Sequence, residues 1–219
     1  MDLHFEQIVP SLPIFGEGIL ITLKFTVLSA IAGFIWGAVL SLFKISRFKL
    51  LAWFGIAYTS VFRGTPLLVQ LFIVYFATPQ ITGYDIPALQ AAVLTFGLNS
   101  AAYISEVIRG GILAIDKGQR EAAMSLGVPY RKMMMDIIFP QAFKHILPAL
   151  VNESIALLKD SSLVATIGVM DILRGAQVVQ NTTYLAFEPL FLAGVIYYVL
   201  VMILTTFARQ LERRVRRSD

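Results

Sequence analysis

Glu153 and Asp160 are the residues whose chemistry stands out first, because they lie in a stretch, about 146–167, that is otherwise close to apolar enough to cross a bilayer. An ionised carboxylate at membrane depth is costly and usually marks a pathway or a site. Seven residues apart, the two share one helical face and are separated by about 10 Å along the axis. That separation suits a ligand with two positive charges. Asn99, Tyr103 and Glu106 recur at i, i+4 and i+7 on a second apolar segment and share a face there. Ordinary readings stand beside these. Tyr103 fits a core position with its hydroxyl bonded to a neighbour, and Arg63 fits a structural partner of Glu106 better than a substrate ligand. Lys159 could neutralise Asp160, although adjacent helical positions point about 100° apart. Asp160 fits either a site or a solvated outer mouth. Glu153 has no basic residue on its own helical turn, so a functional role is the stronger reading.

Other chemistry is scarce. The chain has no cysteine, and His4 and His145 are far apart, so no metal cluster is expected. No nucleophile–base pair stands out, and the reading is of a protein that is not an enzyme. No G-x-x-x-x-G-K-[ST] stretch occurs, so any ATP would be held by another polypeptide.

The elements that must hold these residues are apolar and long. Of 219 residues, 57% are hydrophobic and 15% charged, and the mean hydropathy is +0.74, too apolar for a soluble domain of this length. Five membrane segments are expected, at about 18–43, 51–77, 88–108, 146–167 and 190–207. Lys24 lies near the start of the first, where its stem can snorkel to the surface. The second is interrupted by Arg63-Gly64-Thr65-Pro66, tolerable where helices pack together or line a wet cavity. Residues 1–16 hold Asp2 and Glu6 and no basic residue, so no cleaved signal peptide is expected. The net charge of +4 sits in clusters after the first, third and fifth segments: Lys44, Arg47 and Lys49; then Arg109 to Lys144; then Arg209, Arg213, Arg214, Arg216 and Arg217. The positive-inside bias therefore places the N-terminus outside and the C-terminus in the cytoplasm, and reads the charge as topology, not as a nucleic-acid face.

One polar stretch organises the chain, Gln119 to Pro140. Glu121-Ala122-Ala123 is expected to open a helix, with the acid in its first turn. Gly127 should end it and Pro129 keep it ended. A second short helix, 130–139, should stop at Pro140. Two short helices at a fixed bend make a rigid knob at a membrane surface.

Glu121-Ala122-Ala123, Gly127, Ile137 and Pro140 closely resemble the E-A-A loop of ABC-type importer permeases, with Phe139 where the pattern has leucine. Three further stretches resemble the polar amino-acid branch of that family, which serves histidine, arginine, glutamine and glutamate. They are Phe62 to Gln70, Asn99 to Glu106 with Arg109 to Ile112, and Leu158 to Leu163. The resemblance covers most of the chain from about residue 18.

It implies an all-α fold of the type I importer permeases, a single transmembrane permease domain over 1–219, and a coupling loop at about 116–140. Glu121, Ala122, Ala123 and Gly127 would dock the loop into a groove of a separate ATPase subunit. Asn99, Ser100, Gln70, Glu153 and Asp160 form the candidate substrate-binding set. Asn99 is the expected donor to the substrate carboxylate, and the two carboxylates would select a cationic amino acid. The expected function is an alternating-access permease subunit of an importer for polar, by expectation basic, amino acids in a prokaryotic plasma membrane. The implied partners are two ATPase subunits carrying ATP and Mg, an external binding protein, and a second permease subunit. A homodimer is expected, with a paralogue as the open alternative; this chain itself needs no cofactor. A different class, an ion- or proton-coupled secondary transporter, could use Glu153 and Asp160 as proton carriers. Small size, no visible inverted repeat and the E-A-A loop stand against it.

Overall fold

The computed structural model describes residues 3–216, with side chains through 213; the side chains of Arg214, Arg216 and Arg217, and residue Asp2, lie outside that set. All regular structure among the described residues is helical. A short 3-10 turn leads into α1, Leu12–Ile45, followed by α2, Lys49–Gly64. Helix α3 covers Leu67–Thr82, and α4 covers Ala88–Leu113. The polar α5 is Lys117–Ser125, and α6 is Phe139–Asp160. Helices α7, Ile172–Thr183, and α8, Phe187–Arg216, complete the chain. The stretches containing α1, α4 and α8 are each long and apolar enough to cross a membrane, and α2 with α3 would form a fourth crossing, bent by 103°.

Helix α4 is the centre. It packs along α1 on one side and against α6 on another. The close approach to α1 depends on small residues: a methyl at Gly33 would lie 2.9 Å from Ser100 Cβ, and one at Gly37 2.8 Å from Ile104 Cγ2. Lipid tails are as apolar as leucine, so tight backbone packing of this kind does the work that solvent exclusion does in water. Several buried threonines bond within their own helices: Thr26 Oγ1 donates to Thr22 O, Thr59 to Gly55 O and Thr95 to Ala91 O. Phe25 sets its ring edge-on to Phe96, with centroids 4.8 Å apart, in the core between α1 and α4.

Helix α8 is mostly exposed along its apolar length and lies at the periphery. Its Tyr197 hydroxyl donates to the buried Asp171, whose other oxygen accepts from Arg174 N and caps α7. That network ties α7 to α8 at the end of the molecule opposite α5.

Three boundaries differ from the sequence reading. The helix carrying Glu121 starts at Lys117, capped by Asp116, whose carboxylate accepts from Gly118 N at 2.7 Å. Glu121 therefore lies beyond the first turn. The second helix of the knob does not stop at Pro140. A turn at Tyr130–Lys132 passes through a π segment, Met133–Ile138, directly into α6. Pro140 lacks a backbone donor, and the wider π turn just before it absorbs the missing bond. At the far end α6 stops at Asp160, and the rest of the expected segment is the 3-10 helix Ser161–Ile167.

Candidate functional site

The bend between α2 and α3 is the local event on which the site depends. Thr65 and Pro66 are extended, with ψ of 147° and 134°, because proline cannot continue the hydrogen-bond ladder and disfavours a helical residue before it. The open turn leaves the carbonyls of Phe62 and Thr65 without helical partners. Gln70 supplies them: its Nε2 donates to Phe62 O at 2.9 Å, to Thr65 O at 3.1 Å and to Thr65 Oγ1 at 2.8 Å. Asn99 on α4 completes the joint, with Nδ2 donating to Phe62 O at 3.1 Å and to Gln70 Oε1 at 3.0 Å. The carbonyls of Phe62 and Thr65 are thereby satisfied inside protein, as the bilayer favours.

Beside this joint is a cleft of about 280 Å³, lined by Thr65, Leu67, Asn99, Tyr103, Glu153, Ala156, Leu157 and Asp160. It brings together the α2–α3 break, α4 and α6, and its size is at the small end for small-molecule sites. Asn99 is fourteen residues from the Leu113 end of α4 and Glu153 fourteen from the Phe139 end of α6, so both lie about 21 Å in. Glu153 Oε1 accepts from the fully buried Ser100 Oγ at 3.0 Å, which leaves the rest of the carboxylate to the cleft. Asp160 lies two turns further along the same wall and is exposed at the cleft's far end.

Three of the five expected substrate residues, Asn99, Glu153 and Asp160, line the cleft. The other two, Ser100 and Gln70, stand behind it and hold Glu153 and the helix break. Asn99 cannot serve as an uncommitted donor, since both of its amide hydrogens are engaged; its Oδ1 is the atom that can meet a ligand, as an acceptor. The Arg63–Glu106 pairing does not form. Lys44 Nζ reaches Glu106 Oε1 at 2.7 Å and Ser105 Oγ at 2.8 Å, and Arg109 takes Glu106 Oε2 at 2.7 Å. Lys44 is a residue that sequence reasoning assigned to topology alone. Its side chain is nearly fully buried between α1, α2 and α4, and Gly55 leaves room for its stem. Arg63 instead lies over the ring of Tyr103, 5.1 Å from the centroid.

The knob lies at the other end of α6. Gly127 has φ of +67°, and its N–H donates to Met124 O while Val128 N–H donates to Ala123 O, a closed left-handed helix stop. Ala123 is buried with Met133, Met134, Ile138, Ala142 and Ile146 of the α6 approach and with Ile112 and Ile115 at the end of α4. Ala122 and Glu121 face outward, and Met124, Leu126, Tyr130 and Met135 are exposed apolar side chains on the same short unit.

Residues 29–217 match the family described as the binding-protein-dependent transport system inner membrane component. The arginine transport system permease protein ArtQ of Bacillus subtilis is 55% identical over 219 residues, all of both chains. A putative glutamine transport system permease protein of Rickettsia felis is 46% identical over 213 residues, 96% of this chain and 98% of the other. A crystal structure of an amino acid ABC transporter with histidines matches at TM-score 0.94 and 42% identity, covering 98% of this chain and 100% of that one. The methionine transporter MetNI, facing inward, matches at TM-score 0.79 and 22% identity over 94% of this chain and 98% of its own, a likeness of fold.

Proposed function

From a chain that belongs to the binding-protein-dependent transport inner membrane components, we propose the permease subunit of an ATP-driven importer of polar, basic amino acids. One observation carries the substrate reading: two carboxylates and an amide acceptor line one cleft beside the helix break. Glu153 and Asp160 are separated by about 10 Å of helix, a span that an extended arginine or lysine bridges between its α-ammonium and its side-chain cation. A buried carboxylate without its cation is penalised, so a neutral substrate fits less well. A 55% identity over the whole length of an arginine permease agrees with this choice. Nothing observed favours an ion- or proton-coupled transporter.

Coupling follows from the continuity of α6. The second half of the knob and the two carboxylates are on one helical run, 130–160, and the buried cluster around Ala123 and Ile138 fastens that run to α5 and to the end of α4. An ATPase subunit that seats the exposed Met124, Leu126 and Tyr130 face would tilt α6 and α4 together, moving both walls of the cleft. The assembly is two permease copies, two ATPase subunits holding ATP and Mg, and an extracytoplasmic binding protein, in a prokaryotic inner membrane. This chain acts as one transmembrane domain with five crossings. Its N-terminus is outside: single cysteines at Met124 should label only from the cytoplasm and at Thr82 only from outside, and the reverse pattern would sink the orientation.

The deciding experiment for the substrate site is uptake into proteoliposomes with ATPase subunit and binding protein held constant. Glu153→Gln should cut arginine uptake by roughly tenfold to a hundredfold, and Asp160→Asn by less, since it is the more exposed group. Full uptake with an unchanged preference for cationic over neutral substrates in both variants would refute the two-carboxylate site.

A further inference from the structure

We propose that Arg63 anchors the α-carboxylate of the transported amino acid, a role that rests on the cleft reading above and extends it. An amino acid held by Glu153 and Asp160 through its cationic groups still carries a carboxylate, which needs a donor in a setting where an unpaired anion is costly. The amide and aliphatic hydroxyl donors of the cleft are engaged. Both hydrogens of the Asn99 amide go to Phe62 O and Gln70 Oε1. Thr65 Oγ1 donates to Val61 O, and Ser100 Oγ donates to Glu153. Two nearby cations are committed as well, Lys44 and Arg109 sharing the oxygens of Glu106.

Arg63 differs from them. Its side chain is exposed, it meets no carboxylate among the described residues, and its guanidinium covers the face of Tyr103. Tyr103 lines the cleft, and Thr65, two residues after Arg63, lines it too. Along α4, Tyr103 is one turn from Asn99 toward the Lys44–Glu106–Arg109 cluster, so Arg63 stands at the end of the cleft away from Asp160. The rival cation, Lys159, precedes Asp160 on α6 and belongs to that other end.

The cleft is thereby polar along its length. Acid at the Asp160 end and at Glu153, then base at Arg63, match a side-chain cation, an α-ammonium and an α-carboxylate in that order. The contact with the Tyr103 ring positions the guanidinium, and its N–H groups meet no carboxylate among the described residues, so a bidentate bond to a substrate carboxylate is open to them.

The test uses the assembled permease and ATPase subunits in nanodiscs without the binding protein. It measures binding of radiolabelled L-arginine and L-glutamine, competed by their decarboxylated counterparts agmatine and 4-aminobutanamide. The wild type should prefer an amino acid to its decarboxylated form by at least about tenfold. Arg63→Gln should erase that preference by weakening the amino acid alone, and Arg63→Lys should restore part of it. A preserved preference in Arg63→Gln overturns the proposal. Equal weakening of both ligand types in the Gln and Lys variants also overturns it, making Arg63 a strut for Tyr103. So does a wild type that shows no preference or binds neither amino acid. Glu153→Gln run in parallel keeps the two readings apart: undiminished binding there with lost carboxylate preference in Arg63→Gln removes the carboxylate site and leaves the Arg63 anchor standing.

Discussion

The knob and the cleft are built in opposite ways, although one helical run joins them. The caps and turns that shape the knob are close in sequence. Asp116 caps α5, Gly127 ends it in a left-handed turn, and Pro129 prevents its resumption. The cleft draws on Thr65, Asn99 and Glu153, and its bonds join residues 29, 37 and 53 positions apart. A locally encoded unit can be moved by a partner as a rigid piece. A unit assembled from three separate helices changes shape when any one of them tilts. That division suits a machine in which one end is pushed and the other opens.

The largest break in this comparison should come from Gly127→Val. A β-branched residue resists φ of +67°, and the helix stop that aims the exposed apolar face would be lost. Transport should fall by more than about tenfold while membrane insertion and amino-acid binding in the cleft persist, because the cleft shares none of the knob's local bonds. Wild-type coupling of ATP hydrolysis to uptake in this variant would show the stop to be dispensable.

Gln70→Leu should do the reverse. It leaves Phe62 O, Thr65 O and the Asn99 amide short of partners, a loss of about 1–3 kcal/mol. The cleft should loosen, raising KM for the amino acid by roughly tenfold, with the basal ATPase rate unchanged. An altered basal rate with an intact KM would mean that the break serves the knob instead of the site.

The smallest effect should come from Asp116→Ala, which removes one cap bond, worth about 1 kcal/mol, from a short exposed helix. A small fall in melting temperature with unchanged substrate affinity is expected. A loss of substrate affinity as large as that of Gln70→Leu would end the claim that knob and cleft are built independently.

How much could be read in advance follows the same division. Gly127 as a stop was legible because a left-handed residue is a local requirement that glycine meets without strain. The break at Thr65–Pro66 was legible for the same kind of reason, since proline acts on its own neighbours. The passage of the chain through Pro140 was not, because the π turn that absorbs it is a small backbone adjustment with no strong residue signature. Nor was the start of α5 at Lys117, although Asp116 followed by a polar helical run was an available cap signal.

For the candidate site, the sequence by itself determined which polar groups interrupt the apolar segments. Glu153, Asp160 and Asn99 stand out against apolar surroundings, and helical periodicity alone puts the two acids on one face. Tertiary structure decided their partners. Ser100 bonds Glu153, Asn99 turns its donors to the broken helix, Lys44 displaces Arg63 from Glu106, and Arg63 goes to Tyr103. Periodicity gives the direction of a side chain about its own helix axis. It does not give which neighbouring helix lies there or at what height, and a hydrogen bond requires both to within a fraction of an ångström.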